Sequence, residues 1–201
     1  MSYLERFEYR QGMRGRFSEE EIGSLLTDRQ REVLRLVAAG LSNKAIGKKL
    51  GITLPTVESH LTKPSKPKGI YRRLNAFSRT EAVIKAIALG IIEAEELVTE
   101  EEIERCRHLT NPKHLVVLQT LSNPQISFYK ETEIIIAEET GISRYMVKRY
   151  LHEIYGRLGI EGKQRQIKST RAAVIYLVYE QRKLTSPYHG RFRESNAVDD
   201  W

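Results

Sequence analysis

The stretch from Gly141 to Ile160, GISRYMVKRYLHEIYGRLGI, limits the fold of this chain more than any other. Val147, Leu151, Ile154 and Leu158 recur at helical spacing and make one apolar stripe. The other face carries Arg144, Tyr145, Lys148, Arg149 and His152. Gly141 can take the left-handed backbone that ends a preceding helix, and Ser143 suits the N-cap of the next. A helix, a glycine turn and a second helix with a basic outer face form the pattern of a helix-turn-helix. Such a second helix fits the major groove of duplex DNA, which is wide enough to admit it.

The pattern occurs twice. Gly51-Ile52-Thr53 corresponds to Gly141-Ile142-Ser143, an offset of 90 residues. Val57, His60 and Leu61 correspond to Val147, Tyr150 and Leu151. Ile70-Tyr71-Arg72-Arg73-Leu74 corresponds to Ile154-Tyr155-Gly156-Arg157-Leu158, and Ala82-Val83-Ile84 to Ala173-Val174-Ile175. A divergent internal duplication is the simplest reading, and 201 residues accommodate two copies of about 70.

Charge follows the same division. Residues 1–92 carry 17 basic and 9 acidic side chains, and residues 109–184 carry 12 and 7. Between them, residues 93–108 carry 2 basic and 7 acidic side chains. Basic repeats around an acidic segment, with a net charge of +7, point to a polyanionic partner. No run of 18 apolar residues is present, so no membrane span is expected, and the charged MSYLERFEYR lacks a signal-peptide core. A lone cysteine, Cys106, fits a reducing, cytoplasmic setting. Cys106 and His108 do not make a metal pair, so neither metal nor cofactor is expected. With no nucleophile motif, phosphate loop or paired carboxylates, the chain does not read as an enzyme.

In the first repeat Thr27 and Gln30 make a capping box, and Val33, Leu34, Val37 and Ala38 an apolar face. Gly40 ends that helix. Ser42 caps the next, Asn43 to Leu50, and Thr53 caps a third with Pro55 in its first turn. LTDRQREVLRLVAAGLSNKAIGKKLGIT, then TVESHL, then IYRRLNAFSRTEAVIKAIALGII resembles the helix-turn-helix domain of the LuxR/FixJ (GerE-type) transcription regulators over Leu26 to Ile92. The resemblance implies four helices, DNA reading by the third and frequent dimerisation through the fourth, here Arg79 to Leu89. Leu109 to Leu184 resembles the same domain more weakly, with its fourth helix expected over Thr170 to Arg182. The expected architecture is all-α: two tandem four-helix LuxR-type domains, 26–92 and 109–184, joined by an acidic helical linker at 93–108. An N-terminal arm (1–25), with Arg14 and Arg16 suited to a minor groove, precedes them, and a polar tail (185–201) follows. Wholly helical, the linker would span about 24 Å.

Two departures from the family pattern stand out. Pro64-Ser65-Lys66-Pro67-Lys68-Gly69 interrupts the third helix, which should stop near Lys63 because an interior proline costs ~3 kcal/mol. The inserted loop either lays Lys63, Lys66 and Lys68 along phosphates or is a surface insertion that weakens docking. The second repeat carries Asn123 to Tyr129 where the first turns at Gly40, so a longer loop is expected there.

The resemblance places base reading on Glu58, Ser59 and Thr62 in the first repeat and Lys148, Arg149 and His152 in the second. Glu accepts from cytosine, whereas Lys and Arg pair with guanine, so the copies should prefer different sequences. Phosphate contacts are expected from Lys44, Thr56, Arg72 and Arg79, and from Arg144, Tyr145 and Arg157. The expected partner is double-stranded DNA, with RNA polymerase or another regulator as a protein partner. The chain would act as a monomer with an internal pseudo-two-fold, its fourth helices packed together, or as a homodimer, in the cytoplasm on the nucleoid. The other readings are an adaptor of the transcription machinery and a non-specific architectural DNA binder. No receiver or ligand-binding domain is recognised, so regulation is expected from abundance, a partner or an unseen signal.

Overall fold

The first repeat's helices begin where short polar side chains can cap them. The computed structural model describes residues 18–62, 68–126, 131–162 and 164–185, and these are helical with no strand among them. Lys63, Lys66 and the proposed arginine arm lie outside the described residues. Helix α1 (Glu19–Ser24) starts with a Ser18/Glu21 capping box and α2 (Asp28–Ala38) with the Thr27/Gln30 box. Ser42 caps α3 (Asn43–Leu50) and Thr53 caps α4 (Leu54–Leu61). Between α3 and α4 the chain turns at Gly51 (φ 65°), and the equivalent turn at Gly141 has φ 69°. A side chain at either position would be strained, so both repeats keep glycine there.

Helix α4 stops at Leu61, before the inserted prolines, and the chain resumes as α5 (Ile70–Arg73). The insertion does not pull the two apart. Leu61 and Ile70 stay in the core, and Gly69 sits against Thr62 so closely that a methyl group would overlap the threonine hydroxyl. Gln30 Nε2 donates to the Lys68 carbonyl at 2.8 Å and ties the chain just before α5 to α2. In the second half the same region is one uninterrupted helix of 15 residues.

Helix α6 (Arg79–Ala88) closes the first repeat. Residues 93–108 then depart from the expected single helix. A 3-10 turn (Glu95–Leu97) is followed by α7 (Glu100–Arg107), which the Thr99/Glu102 capping box starts afresh. Three more helices follow: α8 (Pro112–Leu121), α9 (Thr132–Thr140) and α10 (Arg144–Leu158). Of the longer loop expected between α8 and α9, residues 127–130 lie outside the described residues. The last helix, α11, runs over Arg165–Thr185, well beyond the Thr170–Arg182 read from sequence. The expected start, Thr170, and Ser169 before it both lie inside the helix with their hydroxyls engaged. Thr170 Oγ1 donates to the Gln166 carbonyl at 2.7 Å and Ser169 Oγ meets Tyr155 Oη at 2.7 Å. A hydroxyl that bonds four residues back no longer competes to end the helix.

The buried apolar residues of both halves form one cluster, and its centre is the packing of α6 on α11, the largest helix–helix contact among the described residues. Ala82, Val83, Ile84 and Ala86 of α6 are buried, as are Ala172, Ala173, Val174 and Ile175 of α11. Small residues on both helices permit close approach. At this interface the buried hydroxyls of Thr80 and Thr170 meet at 3.0 Å, 90 residues apart in the chain.

Helix α7 does not stand off from the rest. Ile103 and Cys106 are in the core, and burial, with Glu180 nearby, pushes the Cys106 thiol up to about 12. Its acidic side chains are matched by α11: Glu102 receives both Arg171 Nε, at 2.9 Å, and a second Arg171 nitrogen, and Glu100 pairs with Arg182. Burial alone would raise the Glu102 carboxyl. The Arg171 hydrogen bonds, the Thr99 backbone N–H and the attraction of Arg171 together outweigh it and hold the group below its ordinary range.

A carboxyl held low in the fold stabilises at neutral pH and loses that contribution as acid protonates it. Glu102→Gln is therefore expected to cost on the order of 1 kcal/mol at pH 7, because the pair is part-exposed and partly screened by solvent. The gap to the unsubstituted chain should narrow as pH falls below the ordinary glutamate value of about 4.3 and close as the lowered folded-state value is passed, in denaturant titrations. Gly69→Ala is expected to cost about 1–3 kcal/mol by overpacking, read as a fall in melting temperature.

Candidate nucleic-acid interface

Helix α4 is held by Val57 and Leu61, both buried, so the opposite face is fixed outward. Glu58 and Ser59 are exposed there, and Thr62 is half-buried with its hydroxyl donating to the Ser59 carbonyl at 3.1 Å. Thr56 is exposed at the start of the helix, 2.8 Å from Thr53 between hydroxyl oxygens. Lys44, Lys68 and Arg72 are exposed on neighbouring elements. Lys68 lies just before α5, with its backbone carbonyl held by Gln30.

Arg79 does not belong with these surface cations. Its side chain is inward, only 6% exposed, with Nη1 donating to Asn43 Oδ1 at 2.9 Å and Nη2 to the Leu41 carbonyl. It fastens the α2–α3 turn to the first turn of α6. Burial also draws its guanidinium below the usual value. The sequence gives no sign of this, because position one of a capped helix is ordinarily solvent-facing.

On α10, Val147, Leu151, Ile154 and Leu158 are buried and fix the helix in the same way. Tyr145 is 76% exposed, and Lys148, Arg149, His152 and Arg157 are exposed as well. These side chains differ in how they are held. Arg144 pairs with Glu131. Arg149 Nε donates to Glu153 Oε1 at 2.8 Å, and Glu153 Oε2 stands 3.0 Å from Nε2 of buried His114. The Glu153 hydrogen bond raises the Arg149 guanidinium, and Arg149 first, then His114, lowers the Glu153 carboxyl. Lys148 and His152 make no ion pair among the described residues.

Two cations beside this face escaped the sequence reading. Arg165 and Lys168, in the first turn of α11, stand next to α10, Arg165 paired with Glu133 of α9. The Gln164-to-Lys168 run lay before the expected helix start, which is why its proximity to α10 could not be read. The first repeat also hid the Gln30 and Asn43 anchors, because both depend on contacts 36 or more residues away.

Residues 24–86 match the family described as bacterial regulatory proteins, luxR family (GerE). The stretch covers α2 to most of α6 and is a LuxR-type helix-turn-helix domain. The chain is 44% identical over 68 residues to YhjB of Escherichia coli (strain K12), covering 33% of this chain and 31% of that protein. It is 40% identical over 77 residues to the transcriptional regulatory protein YdfI of Bacillus subtilis (strain 168), covering 38% and 33%. It is 35% identical over 82 residues to the response regulator protein VraR of Staphylococcus saprophyticus, covering 40% and 36%. The chain thus spans about a third of the length of these relatives. No solved structure matches it.

Arg79→Ala is expected to act on the fold. Leaving Asn43 and the Leu41 carbonyl without a donor should cost about 1–3 kcal/mol in chemical denaturation, a loss visible without DNA.

Proposed function

We propose that this chain is a sequence-specific, double-stranded DNA-binding transcription regulator that places two tandem helix-turn-helix units on adjacent half-sites. The observation that carries the reading is the LuxR-type domain at residues 24–86, whose third helix α4 has its outer face uncovered. Glu58, Ser59 and Thr62 are assigned to base edges in the first unit, and Lys148, Arg149 and His152 in the second. Lys44, Thr56, Lys63, Lys66, Lys68 and Arg72 are assigned to phosphates, as are Arg144, Tyr145 and Arg157. Phosphate contacts set position and base contacts set sequence. Arg149 would exchange its bond to Glu153 for one to guanine, which lowers the net gain of that contact.

The pairing of α6 with α11 supports the tandem part of the reading. These are the fourth helices of the two repeats, and each covers the apolar face of the other as two subunits of a dimer would. With those faces occupied inside one chain, a single chain is proposed to span both half-sites. The second contact then forms at an effective concentration of up to ~mM. RNA polymerase or another regulator is the proposed protein partner and the nucleoid the proposed location.

Selection of bound duplexes from random DNA tests this reading. One chain per duplex and an asymmetric site with half-sites about 34 Å apart are expected, held at least ~10³-fold tighter than random DNA. Lys148→Ala with Arg149→Ala should relax sequence preference more than Lys44→Ala with Lys68→Ala. Steep salt dependence without sequence preference would mark an architectural binder, and absence of duplex binding an adaptor.

A further inference from the structure

We infer that the second unit carries a binding cleft for a free mononucleotide-sized aromatic phosphate. The outward face of α10 does not end in open solvent as a ridge. The first turn of α11 rises beside it and the two enclose a half-open cleft of about 480 Å³. Tyr145, Lys148, Arg149 and His152 form the α10 wall, spaced over about two turns of one helix face. Arg165 and Lys168 form the α11 wall, and the floor is Leu151 and Tyr155. A volume in this range matches pockets for small organic ligands and is far larger than an isolated phosphate needs.

The chemistry of the lining is specific. Four permanent cations face the cleft against one carboxylate, Glu133, which Arg165 already neutralises. Arg149 is shared with Glu153 outside the lining. The cations without an ion pair among the described residues are Lys148 and Lys168, one on each wall. Lys168 is not swinging freely: its Nζ lies 5.0 Å from the centre of the Tyr155 ring, a cation–π arrangement that positions the charge at the wall. The Tyr155 phenol is fixed by Ser169, and burial, against the Ser169 bond, pushes it up to about 12, so it stays neutral. At the opposite end Tyr145 offers an almost uncovered ring, an exposed aromatic with no packing role. A flat base against Tyr145 and a phosphate between Lys148 and Lys168 satisfy both ends of the cleft.

Occupancy would cover Lys148, Arg149 and His152, so a nucleotide there would compete with duplex DNA. That consequence rests on the DNA-binding reading, whereas binding of the nucleotide does not.

The test is calorimetric titration of adenosine 5′-monophosphate into the full chain without DNA. One saturable site tighter than ~100 μM is expected, with adenosine and inorganic phosphate each at least ~10-fold weaker. Lys148→Ala and Lys168→Ala should each weaken the nucleotide ~10-fold while melting temperature is kept, and Lys44→Ala in the first unit should leave it unchanged. No saturation by ~1 mM would overturn the inference. So would phosphate binding as tightly as the nucleotide, or full affinity in the Lys148→Ala, Lys168→Ala double variant. A single-stranded oligonucleotide that binds with the same lysine dependence while the nucleotide does not would assign the cleft to a strand. Failure of duplex binding alone leaves the nucleotide result intact.

Discussion

Burial of α6 against α11 is the contact on which the rest of the molecule depends. The two helices come from opposite halves of the chain, and neither has another neighbour among the described residues that covers its apolar face to the same extent. Val83, Ile84, Val174 and Ile175 leave water together, at about 1.5–3 kcal/mol for each such side chain. The Thr80–Thr170 hydroxyl pair satisfies the polar atoms trapped with them. Because this contact joins the halves, the core is one cluster, and the orientation of α4 relative to α10 follows from it.

Charge is sorted around that core. The acidic segment at 93–108 is bound by its carboxylates to Arg171 and Arg182 of α11, so α7 acts as a brace rather than a tether. Arg105 Nη1 of α7 also donates to the Leu158 carbonyl at 3.3 Å, at the end of α10. The outward faces of the first unit keep Lys44 and Lys68 in solvent. Those of the second are partly tied up in pairs with Glu131, Glu133 and Glu153. The two proposed reading surfaces therefore differ in chemistry.

What could be read from sequence was what local chemistry decides. Thr27, Ser42, Thr53 and Ser143 cap helices because a hydroxyl three residues before a free N–H needs no distant partner. The end of α4 before Pro64 follows from the missing donor of proline. The exposed side chains of α4 and α10 also followed from period alone. Features set by distant contacts were hidden. Residues 93–108 break into two pieces because Thr99 and Glu102 start a new turn while Glu102 is held by Arg171, 69 residues away. Arg79 turns inward because Asn43 and Leu41 wait for a donor. The early start of α11, and with it the cleft wall, came from Tyr155 capturing Ser169. The Arg79 anchor and the early start of α11 are not properties of a short window, whereas the Thr99/Glu102 box that divides residues 93–108 is local.

Native-state hydrogen exchange resolved by residue measures the α6–α11 dependence most directly. Amides around Val83, Ile84, Val174 and Ile175 are expected to share one opening free energy, the highest in the chain, and to lose it together as denaturant rises. If the amides of α6 kept full protection while those of α11 exchanged through a separate, lower-energy opening, the two halves would be independent units, and the joint core described above would be contradicted.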